Sequence, residues 1–266
     1  MSLRVTILGC GSSGGVPRVA VGWGRCDPNE PRNRRRRCAI LVERIGAHGA
    51  TSVLVDAGPD LREQLLSANV ERLDGVLITH DHADHTHGLD DLRPLVIQMR
   101  ERSDVWMDER TAEVVRSRFG YAFECPPGSD YPPILNDRRI EHDRPVAIDG
   151  PGGVLEASPI DLMHGRTYRA LGFRFGRLAY TPDVNAIPEE AERALQNLDV
   201  WIIDALRDTP HPTHFSLDEA LAAIERFRPR RAILTNLHTD LDYRTLKDRL
   251  PPEIDVAFDG MVVEAG

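Results

Sequence analysis

The order of elements along 266 residues predicts an α/β fold in which two β-sheets pack together with helices outside, a four-layered αββα sandwich. Strands come first and a helix followed by a strand comes later, and this order occurs in both halves of the chain. Short apolar runs such as Gly75-Val76-Leu77-Ile78 read as buried strands. The hydrophobic fraction of 41% is ordinary for a globular protein. The length suits one large domain or two small ones, and we expect one domain over residues 1–266.

Residues 4–8 read as the first strand and run into Gly9-Cys10-Gly11-Ser12-Ser13-Gly14-Gly15-Val16-Pro17. This stretch contains a formal G-x-G-x-x-G, but Pro17, Gly22, Gly24, Pro28 and Pro31 follow where a dinucleotide fingerprint needs a helix. It is therefore expected to be a glycine-rich loop near the active site. Four consecutive arginines, Arg34 to Arg37, come next, as either a solvated basic turn or a clamp for phosphate oxygens. Residues 38–43 and 52–56 read as two strands around a glycine-containing turn. Helical spacing covers residues 60–69, and a second helix is expected over 88–102, with Pro94 near its first turn. Residues 105–107 and 109–119 read as a strand and a helix, and a proline-rich loop follows from Cys125 to Pro133. Further strands are expected at 153–159, 172–175, 178–181 and 200–204, with a helix over 188–197.

The stretch His80-Asp81-His82-Ala83-Asp84-His85 directly follows the apolar run at 75–78. Five of its six residues can ligate a metal, and His80, His82, His85 and His87 are four of only ten histidines in the chain. Imidazole and carboxylate together suit zinc and its neighbours. One loop cannot complete a coordination sphere, so further ligands must come from elsewhere. Residues 232–235 read as a late strand, and His164, alone after an earlier strand, would by itself more often be a loop residue than a ligand. His214 precedes Ser216 and Glu219, an S-x-x-E capping box that opens a helix to Phe227. It is either a plain loop residue or a proton donor beside a helix N-terminus.

The H-x-H-x-D-H pattern resembles the signature of the metallo-β-lactamase superfamily. That resemblance implies two divalent metals, zinc foremost, with manganese and iron also accepted by such ligands. The first would take His80, His82 and His164 and the second Asp84, His85 and His238, with Asp183 between them. Asp56, closing a strand before Gly58, would orient the metal loop through hydrogen bonds. At the last ligand position such relatives commonly have Leu-Thr-His, which would fall on Asn236, so either Asn236 or His238 is expected there.

The glycine-rich opening, the loop around Cys26 and Arg34 to Cys38, His214 before Ser-Leu-Asp-Glu-Ala-Leu, and Val256-Ala257-Phe258-Asp259-Gly260-Met261 are similar to the phosphoribosyl cyclic phosphodiesterases of phosphonate breakdown. This implies hydrolysis of a small cyclic phosphodiester on a sugar or nucleotide, by a hydroxide shared between two metals, with His214 and Asp183 catalytic. Ser12, Ser13 and Arg37, from the glycine-rich loop and the arginine run, are the candidates for substrate binding. Those enzymes carry three closely spaced cysteines for a structural zinc. Here Cys26 stands alone before Cys38, so that extra zinc is not expected.

Two rival readings are a transfer-RNA 3′ processing nuclease and a non-catalytic metal-binding accessory protein of cofactor biosynthesis. The first needs a broad basic face, and the formal net charge of −9 argues against a nucleic-acid polymer or a membrane surface as partner. The partner expected is a small phosphorylated substrate, with a homodimer as the common assembly. Four scattered cysteines without a C-x-x-C pair suit a reducing cytoplasm. The N-terminal apolar run is too short for a signal peptide, and no apolar stretch approaches membrane-spanning length.

Overall fold

A computed structural model of the protein describes residues 2–265. Among the described residues the first sheet comprises β1 (Ser2–Gly9), β2 (Ala39–Gly46), β3 (Gly49–Val55), β4 (Gly75–Leu77), β5 (Ser103–Met107), β6 (Leu135–Arg139) and β14 (Val262–Ala265). Their spatial order is β14-β1-β2-β3-β4-β5-β6. The second sheet comprises β7 (Val146–Ile148), β8 (Leu155–Met163), β9 (Arg169–Phe175), β10 (Leu178–Thr181), β11 (Val200–Asp204), β12 (Arg231–Thr235) and β13 (Ile254–Val256). It runs in the order β13-β12-β11-β10-β9-β8-β7.

Alternation along the strands sorts their side chains into layers. In β2, Ile40 and Val42 face the core between the sheets while Ala39 and Leu41 face the outer helices. In β11, Val200 and Ile202 point into the same inter-sheet core, and Trp201 and Ile203 point out. Phe173, Phe175 and Tyr180 from the second sheet meet Val5, Val53 and Leu77 from the first, closing the sandwich.

Helices cover both outer faces. On the first lie α1 (Leu61–Ser67), α3 (Arg93–Met99) and α4 (Glu109–Phe123), and on the second α5 (Glu189–Glu192), α6 (Leu217–Phe227) and α7 (Tyr243–Arg249). α4 starts at Asp108, whose carboxylate accepts the Thr111 N–H at 2.7 Å. α6 carries the full capping box, with Ser216 and Glu219 satisfying each other's N–H groups. No described helix is long and apolar enough to cross a membrane.

Two expected helices differ in detail. The one over 88–102 is a 3₁₀ turn, Leu89–Leu92, followed by α3, because Pro94 lacks an N–H and settles in the first turn of the second piece. The one over 188–197 is α5 plus a 3₁₀ turn, Arg193–Leu195. Strands β6, β7, β13 and β14 and helix α7 had no counterpart in the sequence reading. β6, β7 and β13 are outer strands of their sheets and β14 pairs only with β1, so their patterns are short or polar.

Strands β3 to β6 run parallel, as do β10 to β13. Asp56, Thr79, Asp183, Asp204 and Asn236 all come just at or after the C-terminal ends of these parallel strands. The glycine-rich loop after β1 is stitched between the halves, with Gly11 bridged to both Arg37 and Leu237.

Candidate metal centre

The histidine stretch leaves β4 as a short loop and one helical turn, α2 (Ala83–Thr86). It is pressed against the turn after β3: a Cβ on Gly58 would lie 2.0 Å from the Asp84 carbonyl oxygen, so only glycine allows this approach. Asp56 is fully buried and accepts the Thr79 N–H at 2.9 Å, the Thr79 hydroxyl at 3.0 Å and His85 Nδ1–H at 2.7 Å. With its proton given to Asp56, Thr79 Oγ1 accepts from His80 Nδ1 at 2.9 Å. His164 Nδ1 donates to the Thr213 carbonyl at 2.8 Å. In each case one ring nitrogen is tied down and the other is left as a lone pair facing inward, the arrangement that orients metal-ligating histidines.

Those lone pairs converge. His80 Nε2 lies 2.9 Å from His82 Nδ1, and His164 Nε2 lies 3.4 Å from the same atom. Ligand atoms of His80, His82 and His164 fall within 4.8 Å of one another, as do those of His80, His85 and Asp183, and those of His164, Asp183 and His214. His85 Nε2 stands 3.3 Å from both Asp84 and Asp183. The structure thus brings together His80, His82, Asp84, His85, His164 and Asp183, with histidines from the first sheet facing His164 and Asp183 from the second.

The electrostatics ask for a cation. Burial, reinforced by neighbouring imidazoles, holds His80 well below its usual range and lowers His164 to about 3, so both are neutral ligands at pH 7. Burial raises Asp183 to about 7, and Asp204 and Asp84 push the same way. Its Oδ2 is buried without a hydrogen-bond partner. Facing nitrogen lone pairs and an orphaned buried carboxylate oxygen are costly alone and satisfied by a divalent ion. The residues present therefore fit such ions.

A second ring holds His82. Tyr168 stacks on it with centroids 5.0 Å apart and planes inclined by 16°. Arg110 lies over the Tyr168 ring at 4.0 Å from its centroid and reaches Asp81. Asp81 thus braces the loop from outside the metal set.

His214 sits just before the α6 cap. Its Nδ1 lies 2.8 Å from Asp204, which is fully buried at the end of β11, and 3.7 Å from Asp183. Burial opposes a charge on this ring, but Asp204 and Asp183 outweigh it and raise His214 to about 9.

Two expected site residues make other contacts. His238 lines the same cavity, with Arg18 Nη1 2.9 Å from its Nε2 and Asp240 3.1 Å from its Nδ1, and like Asp84 it stands outside the three ligand groups. Asn236 does not take its place in this geometry, since its amide donates to the Pro182 carbonyl at 2.9 Å. Arg37 turns away from the cavity to pair with Asp60 at 2.8 Å. Two others of the arginine run are also structural: Arg36 pairs with Asp259, and buried Arg35 donates to the Leu241 carbonyl at 2.8 Å. Ser12 and Ser13 do line the cavity, whose volume is about 310 Å³.

The family model of the beta-lactamase superfamily domain matches residues 51–236, a span containing every one of these ligand groups. The chain belongs to the metallo-β-lactamase superfamily. A crystal structure described as a new diphosphatase from the PhnP family is 32% identical to this superfamily member, covers 100% of the chain and 98% of its own, and superimposes with a TM-score of 0.88. The octanoyltransferase of Porphyromonas gingivalis is 31% identical over 264 residues, 97% of the chain and 51% of that protein. The chain spans about half the length of the curated relatives it matches first. Zinc-bound PqqB from Methylobacterium extorquens shares the fold, with 19% identity, a TM-score of 0.72 and coverage of 98% and 99%.

Within this metallo-β-lactamase fold, sequence reasoning passed over Thr79, Tyr168, Asp204 and Arg18. Asp204 carried a usable signal: like Asp56 it is a carboxylate ending a buried strand, where an apolar run gives no other reason for a charge. Tyr168 and Arg18 carried none, because their partners are distant in sequence.

Proposed function

We propose that this chain is a metal-dependent hydrolase of small phosphodiesters or diphosphates, with two divalent ions, zinc foremost. The observation that carries the reading is the contact of His214 Nδ1 with buried Asp204 at 2.8 Å, placed against the His/Asp cluster. Divalent ions would supply Lewis acidity toward phosphoryl oxygens and lower the pKa of water. His80, His82 and His164 would hold one ion, and Asp84, His85 and Asp183 would hold the other. Asp204 keeps the proton on His214 Nδ1 and so leaves Nε2 as the nitrogen that exchanges a proton with a leaving alkoxide or phosphate. The N–H groups at the start of α6 favour an anion beside it.

The resemblance to a structure described as a diphosphatase supports chemistry at phosphorus. A cavity of about 310 Å³ suits a small substrate, and the acidic chain offers little to a nucleic-acid polymer. Free cysteines, three of them buried, accord with a cytoplasmic setting. The test is metal-dependent cleavage of bis(p-nitrophenyl) phosphate by purified protein. His214→Ala should retain its metals by elemental analysis while kcat falls by roughly 10²- to 10⁴-fold. Full turnover by that variant would remove His214 as the acid, and no metal-dependent cleavage by the parent would remove the reading.

A further inference from the structure

Two histidines line the cavity from the loop between β11 and α6, His214 and His211. The loop is closed at its base, where the Leu206 N–H donates to the Phe215 carbonyl at 2.9 Å and the Leu217 N–H to the Arg207 carbonyl at 2.9 Å. Its turn is braced from inside, since the Arg207 guanidinium donates to the carbonyls of Thr209 at 3.2 Å and Pro210 at 3.0 Å. Thr213 ties the loop to the cluster, because its carbonyl accepts from His164 Nδ1 at 2.8 Å. A side chain on this loop is held in place before any ligand arrives.

Thr213 also decides the state of the His211 ring. Its backbone N–H, which can only donate, lies 3.4 Å from His211 Nδ1, and its hydroxyl lies 3.1 Å from the same atom. Nδ1 therefore carries the lone pair, and the proton of the neutral ring sits on Nε2. Burial lowers the pKa of His211, and the charges of His214 and Arg207 push the same way, so the ring is neutral at pH 7. Its hydrogen bonds to the described residues are made at Nδ1, which leaves Nε2–H for a ligand. The ring stands beside that of His214, with centroids 5.3 Å apart and planes inclined by 44°. Both rings are anchored through Nδ1, His214 on Asp204 and His211 on Thr213, and both keep Nε2 as the outward donor.

We infer that His211 is a second donor to the leaving group, its Nε2–H hydrogen-bonding the departing oxygen that His214 protonates. This rests on the hydrolase reading above. As the oxygen of hydroxide bonds to phosphorus, the bond from phosphorus to the departing oxygen breaks and leaves its electron pair there. The proton from His214 Nε2 is taken up by that oxygen, and His211 keeps its own. An uncharged donor fixed in advance stabilises the charge that develops during this step.

Methyl p-nitrophenyl phosphate and methyl phenyl phosphate test the assignment, because p-nitrophenolate leaves with little help and phenolate needs more. On the metal-loaded protein, His211→Ala should lower kcat/KM for the phenyl ester about tenfold or more and for the nitrophenyl ester by about twofold at most. His211→Gln, which keeps an N–H donor, should recover part of the loss on the phenyl ester, and His211→Phe, which keeps a ring beside His214, should not. Elemental analysis should find the parent's metal content in all three variants. Long-range ¹H–¹⁵N correlation spectra of the zinc-loaded protein should show His211, identified by its loss in His211→Gln, as the Nε2–H tautomer at pH 7. Equal losses on the two esters, no loss on the phenyl ester, or an Nδ1–H tautomer overturns the role of His211. Absence of metal-dependent cleavage of either ester by the parent overturns the hydrolase reading instead.

Discussion

At the scale of single residues, the centre depends on groups that never face the cavity. Asp56 takes three hydrogen bonds and fixes two histidines through them, one directly and one through Thr79. Asp56→Ala should therefore weaken metal binding by roughly 10- to 100-fold in a metal titration, with the ligand set itself untouched. Tyr168 works by packing on His82. The histidine stretch was legible because five of six adjacent residues state their chemistry together. Arg18 and His238 are 220 positions apart, so their pairing exists only once the chain has folded. The same reasoning explains Arg37: arginine composition alone does not tell a phosphate from Asp60 as the partner.

At the scale of elements, caps decide where functional side chains stand. Ser216→Ala removes one half of the α6 capping box and should cost about 1 kcal/mol in a urea titration. It should also loosen His214, two residues before it. Asp242 caps α7 and holds the early loop through the Asn33 amide at 2.6 Å. Partial burial opposes its charge, but N–H groups of Thr245 and Asp27 and the Asn33 amide outweigh it, lowering Asp242 to about 2. A carboxylate with a depressed folded pKa contributes stability above its unfolded value and loses it as pH falls through the folded value. The urea midpoints of wild type and Asp242→Asn should thus converge as pH falls from about 4 toward 2. A gap that widens on acidification would contradict this capping role. The start of α6 was readable because its capping box is local chemistry, whereas β6, with the sequence Leu-Asn-Asp-Arg-Arg, is a strand only because β5 pairs with it.

At the scale of the molecule, two apolar sheets share one core and one polar end. Phe173, buried in the inter-sheet core, should cost roughly 3 to 5 kcal/mol when replaced by alanine, read from the denaturant midpoint. The metal ligands come from both sheets, so ions bound there join the two layers. Chelation should lower the Tm, and free ion at about 100 times Kd should restore about 2.7 kcal/mol. The αββα layering was legible from the order of strands and helices in both halves of the chain, while the order of strands within each sheet was not, because it is set by pairings between distant segments. One such pairing governs when the centre can form. β1 pairs with β14, Leu3 against Ala265, and Gly11 bridges to Leu237. The loop that walls the cavity meets Arg35 and Arg37 close by in sequence, but its other partner, Leu237, lies far along the chain. Folding must bring these distant segments together before the wall is complete, which favours slow maturation of the centre over stepwise loading of a half-made site.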